Sequence, residues 1–301
     1  MKYLVTGGAG FIGSNLVEKL VKEGNEVIVL DNLSTGSLEN LSLVKDKIDF
    51  IFSPVMKILD IEKIRNLDGI FHLGIPSTTI LYRNNPFLVG EAVNEFIKTL
   101  ELAKKEKCKI VFASSSSVYN GNKIPFEEGL PILIKDFYTE ARYLMERLAK
   151  LYYDFYEVKS IGFRLFSVYG YHEQAKKDFA NLVSQFLWTM KKGQQPIIYG
   201  DGNQIRDFIH VEDVVQGLTL GMGCDVECDI FNLGTAKSYS LNELVEILNR
   251  ILKTNIKPKY EKNPIKNYVE NTLADIKKIK EKLGWSPKIS LEEGIKLLTK
   301  K

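Results

Sequence analysis

Short apolar runs and helical periodicities alternate along the first half of the chain. Tyr3, Leu4 and Val5 form a continuous apolar run, the pattern of a strand buried on both faces. Behind it Ile12, Leu16 and Leu20, with Val17 and Val21, recur at helical spacing and predict an amphipathic helix. Val27 to Leu30 make a second buried run, and further candidate strands fall at 48–52, 70–73, 110–113 and 160–165. Between them the clearest helix-period segment is Val93, Phe96, Ile97, Leu100 and Ala103. This alternation predicts an α/β fold with a doubly wound parallel sheet and helices on both faces.

From about Ser167 the texture changes. Gly193, Pro196, Gly200 and Gly202 punctuate longer loops, and helical patterns at 179–190 and 241–252 suggest a smaller cap. The run Phe231-Asn-Leu-Gly is placed to return a strand to the main sheet. The expected division is 1–166 and 167–301, with segments near 208–233 rejoining the first part.

The charge balance excludes little but is useful. There are 41 basic and 38 acidic residues, a net charge of +3, which argues against nucleic acid or a membrane surface as partner. The first apolar run begins at once, which predicts no signal peptide, and no stretch approaches the roughly 20 apolar residues of a membrane span. The three cysteines (Cys108, Cys224, Cys228) and three histidines (His72, His172, His210) are not spaced as metal ligands. A reduced, cytoplasmic, metal-free protein is expected.

Three stretches carry candidate chemistry. Gly7, Gly10 and Gly13 follow the first strand at three-residue steps and open the helix. Gly7 permits a tight turn, Gly10 lets backbone approach a pyrophosphate, and Gly13 lets helix pack on strand. The helix start offers free N–H groups and partial positive charge to phosphate. Asp31 closes the second run, where a carboxylate accepts ribose hydroxyls and repels a 2′-phosphate, favouring NAD over NADP; capping of the turn Asp-Asn-Leu-Ser-Thr-Gly is the alternative. Ser114 to Ser117 follow Ile110-Val-Phe-Ala, and Tyr138 and Arg142 lie at i, i+4 on one predicted helical face. A phenol of pKa about 10 is a poor base at neutral pH, and a cation within about 4–6 Å favours the phenolate. A surface packing contact is the competing reading of that pair.

With these stretches in place the chain resembles the extended short-chain dehydrogenases/reductases, in their NAD-dependent epimerase/dehydratase branch, and is most similar to the UDP-glucose (UDP-galactose) 4-epimerases. Thr-Gly-Gly-Ala-Gly-Phe-Ile-Gly-Ser at the N-terminus, Leu-Asp-Asn-Leu-Ser-Thr-Gly at 30–36 and Phe71-His-Leu-Gly match cofactor loops. Ser-Ser-x-x-Val-Tyr at 114–119, Arg164-Leu-Phe-Ser-Val-Tyr-Gly, the stretch 200–213 and Leu283-Gly-Trp-Ser-Pro extend the resemblance over nearly the whole chain. It implies a Rossmann-type sheet with a smaller C-terminal substrate-binding cap, and NAD as cofactor. Cofactor contacts are implied at Gly7, Gly10, Phe11, Ile12 and Gly13, and at Asp31, Asn32, Leu33, Ser34, Thr35 and Gly36. Leu73, Gly74, Ile75, Ser77, Ser114, Tyr138, Arg142 and Phe166 complete that set. Ser115, Tyr138 and Arg142 take the catalytic positions. Substrate contacts are implied at Ser115, Ser117, Tyr138, Ser167, Asn181, Leu182, Ile197, Tyr199 and Arg206. Arg206 falls on the diphosphate unless it pairs with Asp207 or Asp213.

The departures set the functional expectation. Arg142 stands where the family has lysine, and its planar fork is not an innocent replacement. Tyr143 and Arg147 repeat the spacing one turn on, but Glu146 falls at the family's following acid and favours the Tyr138 register. Ser167 replaces an asparagine. An adenine-contacting Asp-Ile near 53–61 and a second diphosphate arginine near 265–268, for which Lys262 or Lys266 would substitute, are poorly matched. The resembling 4,6-dehydratases carry Asp-Glu where this chain has Ser116 and Ser117, which cannot serve as general acid and base. The expectation is a nucleotide-sugar 4-epimerase of UDP-hexose type, as a homodimer joined through helices near 93–103 and 137–153. The alternatives are an NAD- or nucleotide-sugar-binding sensor without turnover, and a reductase or epimerase of another nucleotide sugar.

Overall fold

The structure is a computed structural model that describes residues 1–263 and 269–300. Its strands, in chain order, are β1 (Lys2–Thr6), β2 (Glu26–Asp31), β3 (Asp49–Phe52), β4 (Gly69–His72), β5 (Lys109–Ser115), β6 (Ser160–Leu165), β7 (Ser167–Tyr169), β8 (Ile197–Tyr199), β9 (Ile205–Arg206), β10 (Phe208–His210), β11 (Cys228–Leu233), β12 (Tyr239–Ser240) and β13 (Lys259–Glu261). The helices are α1 (Phe11–Lys22), α2 (Thr79–Asn84), α3 (Leu88–Glu106), α4 (Phe137–Tyr156), α5 (Leu182–Lys191), α6 (Val211–Gly223), α7 (Leu241–Leu252), α8 (Lys277–Leu283) and α9 (Leu291–Thr299).

Seven strands form one sheet in the order β11-β6-β5-β4-β1-β2-β3, every neighbouring pair parallel. The continuous apolar runs follow from this. Successive side chains in a strand point to opposite faces, so Leu4, Ile28, Ile70 and Ile110 join one core while Val5, Val29, Phe71 and Val111 join the other. Leu16 and Val17 of α1 and Val214 and Leu218 of α6 cover one face. Phe96 and Leu100 of α3 and Met145 of α4 cover the second. Truncating any of these fully buried side chains to alanine costs about 2–5 kcal/mol. The strand order reverses between β1 and β4, the position at which open parallel sheets bind ligands.

A third core gathers Val183, Phe186 and Leu187 of α5, Leu244 and Leu248 of α7, and Leu291 and Ile295 of α9. Residues of α6 and β11 pack instead into the core of the main sheet. Among the described residues no helix is long and apolar enough to cross a membrane.

Two local boundaries differ from the sequence pattern. The strand expected at 110–113 continues through Ser115, because Ser114 and Ser115 pair with Arg164 and Leu165 of β6. The helix expected from 179 starts at Leu182. Asn181 caps it by accepting from Val183 N (3.0 Å), and 174–179 is a 3₁₀ segment interrupted at Lys177 (φ 47°, ψ −121°).

Candidate active site

The glycine turn forms at the switch point through contacts that no other residue permits. Gly7 has φ +68°, and a Cβ there would lie 2.5 Å from Gly74 Cα, so the turns after β1 and β4 touch backbone to backbone. A Cβ on Gly13 would lie 2.1 Å from Gly7 O; the helix start is pressed against the turn itself. It is Gly8 that lies against strand β2, where a Cβ would meet Val29 at 2.7 Å. Gly10 is the N-cap of α1, with no side-chain cap and no acid in the first turn. The first-turn N–H groups therefore face the cleft ready for an anion.

Asp31 is buried at the end of β2. Its Oδ2 accepts from Ala9 N (2.9 Å) and its Oδ1 from Leu33 N (2.7 Å). Burial pushes the carboxyl up, and the backbone N–H groups at Leu33, Ala9 and Gly10 oppose that rise. Asp31 thus caps its turn, yet each carboxylate oxygen retains a lone pair for a hydroxyl. Asn32, Ser34, Thr35 and Gly36 continue the wall of the cleft. Leu33 (φ 55°) turns away and packs on the core.

The loops after β4, β5 and β6 converge on the same cleft, of about 570 Å³, with Leu73 to Ser77, Ala113 to Ser117 and Leu165 to Val168 on its walls. Tyr138 and Arg142 reach it from the first turns of α4, which Asp136 caps by accepting from Thr139 N. Arg142 is only 3% exposed. Its Nη2 donates to Pro76 O (2.9 Å) and its Nη1 to Ala113 O (3.2 Å), so it ties two cofactor-side loops to the helix. Its Cζ lies 4.9 Å from the Tyr138 ring centroid. The Tyr82 ring meets Tyr138 edge-on at 5.6 Å, and burial pushes the Tyr82 phenol up to about 12.

The serines divide their tasks. Ser115 Oγ accepts from Ser117 N (3.1 Å), leaving its proton to donate into the cleft. Ser114 donates to Glu146 Oε1 (2.5 Å). Glu146 and Arg164 form a buried two-point ion pair (2.9 and 2.6 Å), and Arg164 also donates to Tyr119 OH (2.7 Å). This buried network fixes Ser114, the residue before Ser115.

Asn181, Ser167, Phe179, Lys176 and Phe166 also line the cleft, Lys176 with its Nζ 5.5 Å from the Phe11 ring centroid. Leu182, Ile197, Tyr199 and Arg206 lie outside the lining of the cleft. Ile197 and Tyr199 are exposed on β8. Arg206 donates to Ile205 O and Glu270 O (2.9 and 2.7 Å) and to Val269 O. Asp207 and Asp213 spend their carboxylates elsewhere, Asp207 on Thr235, Ala236 and Ala274 and Asp213 on Lys288 and Ile289. Lys262 is exposed, and Lys266 with the rest of 265–268 lies outside the described residues. Sequence reasoning missed Lys176, and it missed Ser53, Val55, Glu91 and Glu95, which also line the cleft. Burial, then the Glu91 charge, pushes Glu95 up to about 7. No motif announces these residues, because separate elements deliver them. Among the described residues no group of His, Cys, Asp and Glu could hold a metal.

The family model described as GDP-mannose 4,6 dehydratase matches residues 4–298. The chain belongs to the NAD-dependent epimerase/dehydratase family. A putative UDP-glucose 4-epimerase of Methanocaldococcus jannaschii is 38% identical over 97% of this chain and 95% of its own. UDP-glucuronic acid decarboxylase 6 of Arabidopsis thaliana is 34% identical over 99% of this chain and 88% of its own. Among solved structures, UDP-glucose 4-epimerase of Thermotoga maritima with UDP-glucose superposes with a TM-score of 0.94 at 33% identity, covering 100% of this chain and 98% of that one. The Thermus thermophilus UDP-glucose 4-epimerase complex with NAD gives 0.85 at 27% identity, covering 99% and 97%. Epimerase/dehydratase relatives thus span several reactions, and the side chains of the cleft have to separate them.

Proposed function

We propose that the protein is a nucleotide-sugar 4-epimerase acting on a UDP-hexose with NAD retained in the cleft. The observation that carries this reading is the meeting of Tyr138, Arg142 and Ser115 beside the dinucleotide turn, with hydroxyls and no carboxylate at Ser116 and Ser117. The cradle fits NAD: glycines stand where side chains would block backbone contact, α1 starts uncapped, and Asp31 has acceptor capacity for a ribose. Held by the glycine turn and Asp31, NAD would supply reversible hydride acceptance at carbon 4 of the sugar.

The chain's own residues handle the proton and the charge. Tyr138 removes the proton of the 4-hydroxyl and gives it back. Arg142 supplies a fixed positive charge beside the phenol, where negative charge develops, and its two carbonyl contacts keep it from reorganising during the step. Ser115 donates to the reacting oxygen. Ser116 and Ser117 supply neither an acid nor a base for water loss, so the dehydratase course is not supported. The Asn181 wall holds the nucleotide while the sugar turns.

The test is incubation of purified protein with UDP-glucose or UDP-galactose, with UDP-N-acetylglucosamine and UDP-glucuronate as separate arms. Interconversion of glucose and galactose forms without net NADH is expected. Absence of interconversion while NAD is demonstrably bound sinks the assignment. Carbon dioxide release from UDP-glucuronate would favour the second reading, a decarboxylase, which the 34% identical plant relative motivates.

A homodimer is part of the proposal. The outer surface of α4 exposes Leu151, Phe155 and Tyr156, apolar area suited to a second copy of the α3–α4 pair. Tyr152 bonds Glu101 of α3 within the chain (2.8 Å). Light scattering on wild type and Phe155→Glu tests it; a monomeric wild type refutes it.

A further inference from the structure

Among the residues lining the cleft, Arg142 and Lys176 are the cations, against the acids Asp31, Glu91 and Glu95. A dinucleotide and a nucleotide sugar together bring two diphosphates, so the cleft has several negative charges to hold. Arg142 lies at the Tyr138 end and spends two donors on backbone carbonyls. Arg206 is bonded to three carbonyls away from the cleft. Lys176 is differently placed. Its Nζ lies 5.5 Å from the ring centroid of Phe11, the first residue of α1. It also lies 3.6 Å from Glu173 Oε1.

Glu173 does not use up this ammonium. It is fully buried, and its two oxygens accept from Asn181 N and Ser184 Oγ at 2.6 Å each. The carboxylate is an anchor shared with the start of α5, and the ammonium keeps donors for another acceptor. The start of α5 is already occupied by the Asn181 cap and the Glu173 carboxylate, whereas that of α1 is uncapped and favourable for an anion, with Lys176 beside it. The adjoining Lys177 has φ 47° and ψ −121°, a conformation that favours glycine, so the loop carries backbone strain next to Lys176.

We propose that Lys176 is a diphosphate-binding cation of the cleft, engaging a phosphate seated at the uncapped start of α1. The proposal rests on the nucleotide reading of the cleft and not on which sugar is turned over, so binding is the readout. Lys176→Met keeps the stem over Phe11 and removes the charge; Lys176→Arg keeps the charge. Calorimetric titration of the nucleotide-free full chain with NAD, and of the NAD-loaded chain with UDP, reads the two diphosphates separately, with adenosine as the phosphate-free control. Lys176→Met is expected to weaken NAD or UDP by at least about tenfold, with a shallower salt dependence, while Lys176→Arg stays near wild type and adenosine binding is unchanged. Loss on NAD assigns the cofactor's pyrophosphate; loss on UDP assigns the substrate's. Unchanged affinity for both, or an equal loss for adenosine, overturns the proposal. Catalytic failure on UDP-hexoses with this binding pattern intact would refute the epimerase reading alone.

Discussion

Two faces of α4 carry the same chemical pair. Tyr138 and Arg142 point into the cleft, tied by Arg142 to Pro76 and Ala113. Tyr143 and Arg147 repeat the spacing five residues on, about 140° around the helix. They line a shallower hollow with Lys150 and Cys228, and Arg147 is exposed. The Arg147 Cζ stands 6.0 Å from its tyrosine ring, against 4.9 Å for Arg142. Helical spacing brings each arginine to its tyrosine. Whether the pair can do chemistry depends on what the sheet sets opposite: the inner pair meets the ends of β4 and β5, and the outer pair meets water.

The sharpest way to break this contrast is to remove each phenol. Tyr138→Phe is expected to lower kcat about 10²–10⁴-fold with NAD still bound, and Tyr143→Phe to stay within about twofold. Equal losses in steady-state assays would refute the assignment of roles. The cations should separate next. Arg142→Met leaves the half-buried carbonyls of Pro76 and Ala113 without their donors and should cost about 1–3 kcal/mol in urea unfolding. Arg147→Met should stay within about 0.5 kcal/mol.

A third contrast concerns pH. His72 is fully buried on β4, with Nδ1 3.0 Å from Thr6 Oγ1. Burial, and then the Arg142 charge, lowers it from 6.5 to about 3. The folded protein therefore keeps His72 neutral where the unfolded chain takes up a proton. This contribution is present above pH 6.5 and is lost as pH falls toward 3, with a slope of at most about 1.4 kcal/mol per pH unit. His72→Asn should flatten the acid limb of the stability profile, whatever it costs at neutral pH. An unchanged slope would show that His72 is not held neutral on the inner face.

Much of the first half was legible because its signals are local. Tyr3 to Val5, the three glycines and the run ending at Asp31 belong to one strand-turn-helix-strand unit; the positive φ of Gly7 and the contact of Gly13 with Gly7 O lie within it, while the close approach of Gly74 to Gly7 comes from the turn after β4. Asp31 was weighed as a ribose acceptor or a turn cap; its two oxygens serve the turn and still face the cleft. Lys176, Glu95 and the Glu173 anchor were not legible. Lys176 and Glu95 line the cleft and Glu173 lies buried behind Lys176, and none sits in a motif. Arg206 shows the reverse: its stretch carries one of the more specific sequence matches, yet the side chain turns to carbonyls near 269–270 instead of into the cleft.

The sequence alone determined the parallel sheet and the dinucleotide turn. Hydrophobic periodicity and glycine stereochemistry are properties of neighbouring residues and need no further context. Tertiary structure decided which cations the cleft contains, which of two tyrosine–arginine pairs is buried, and which serine keeps a free proton. Those outcomes depend on desolvation and on hydrogen-bond partners supplied by distant strands, and these exist only once the sheet has closed.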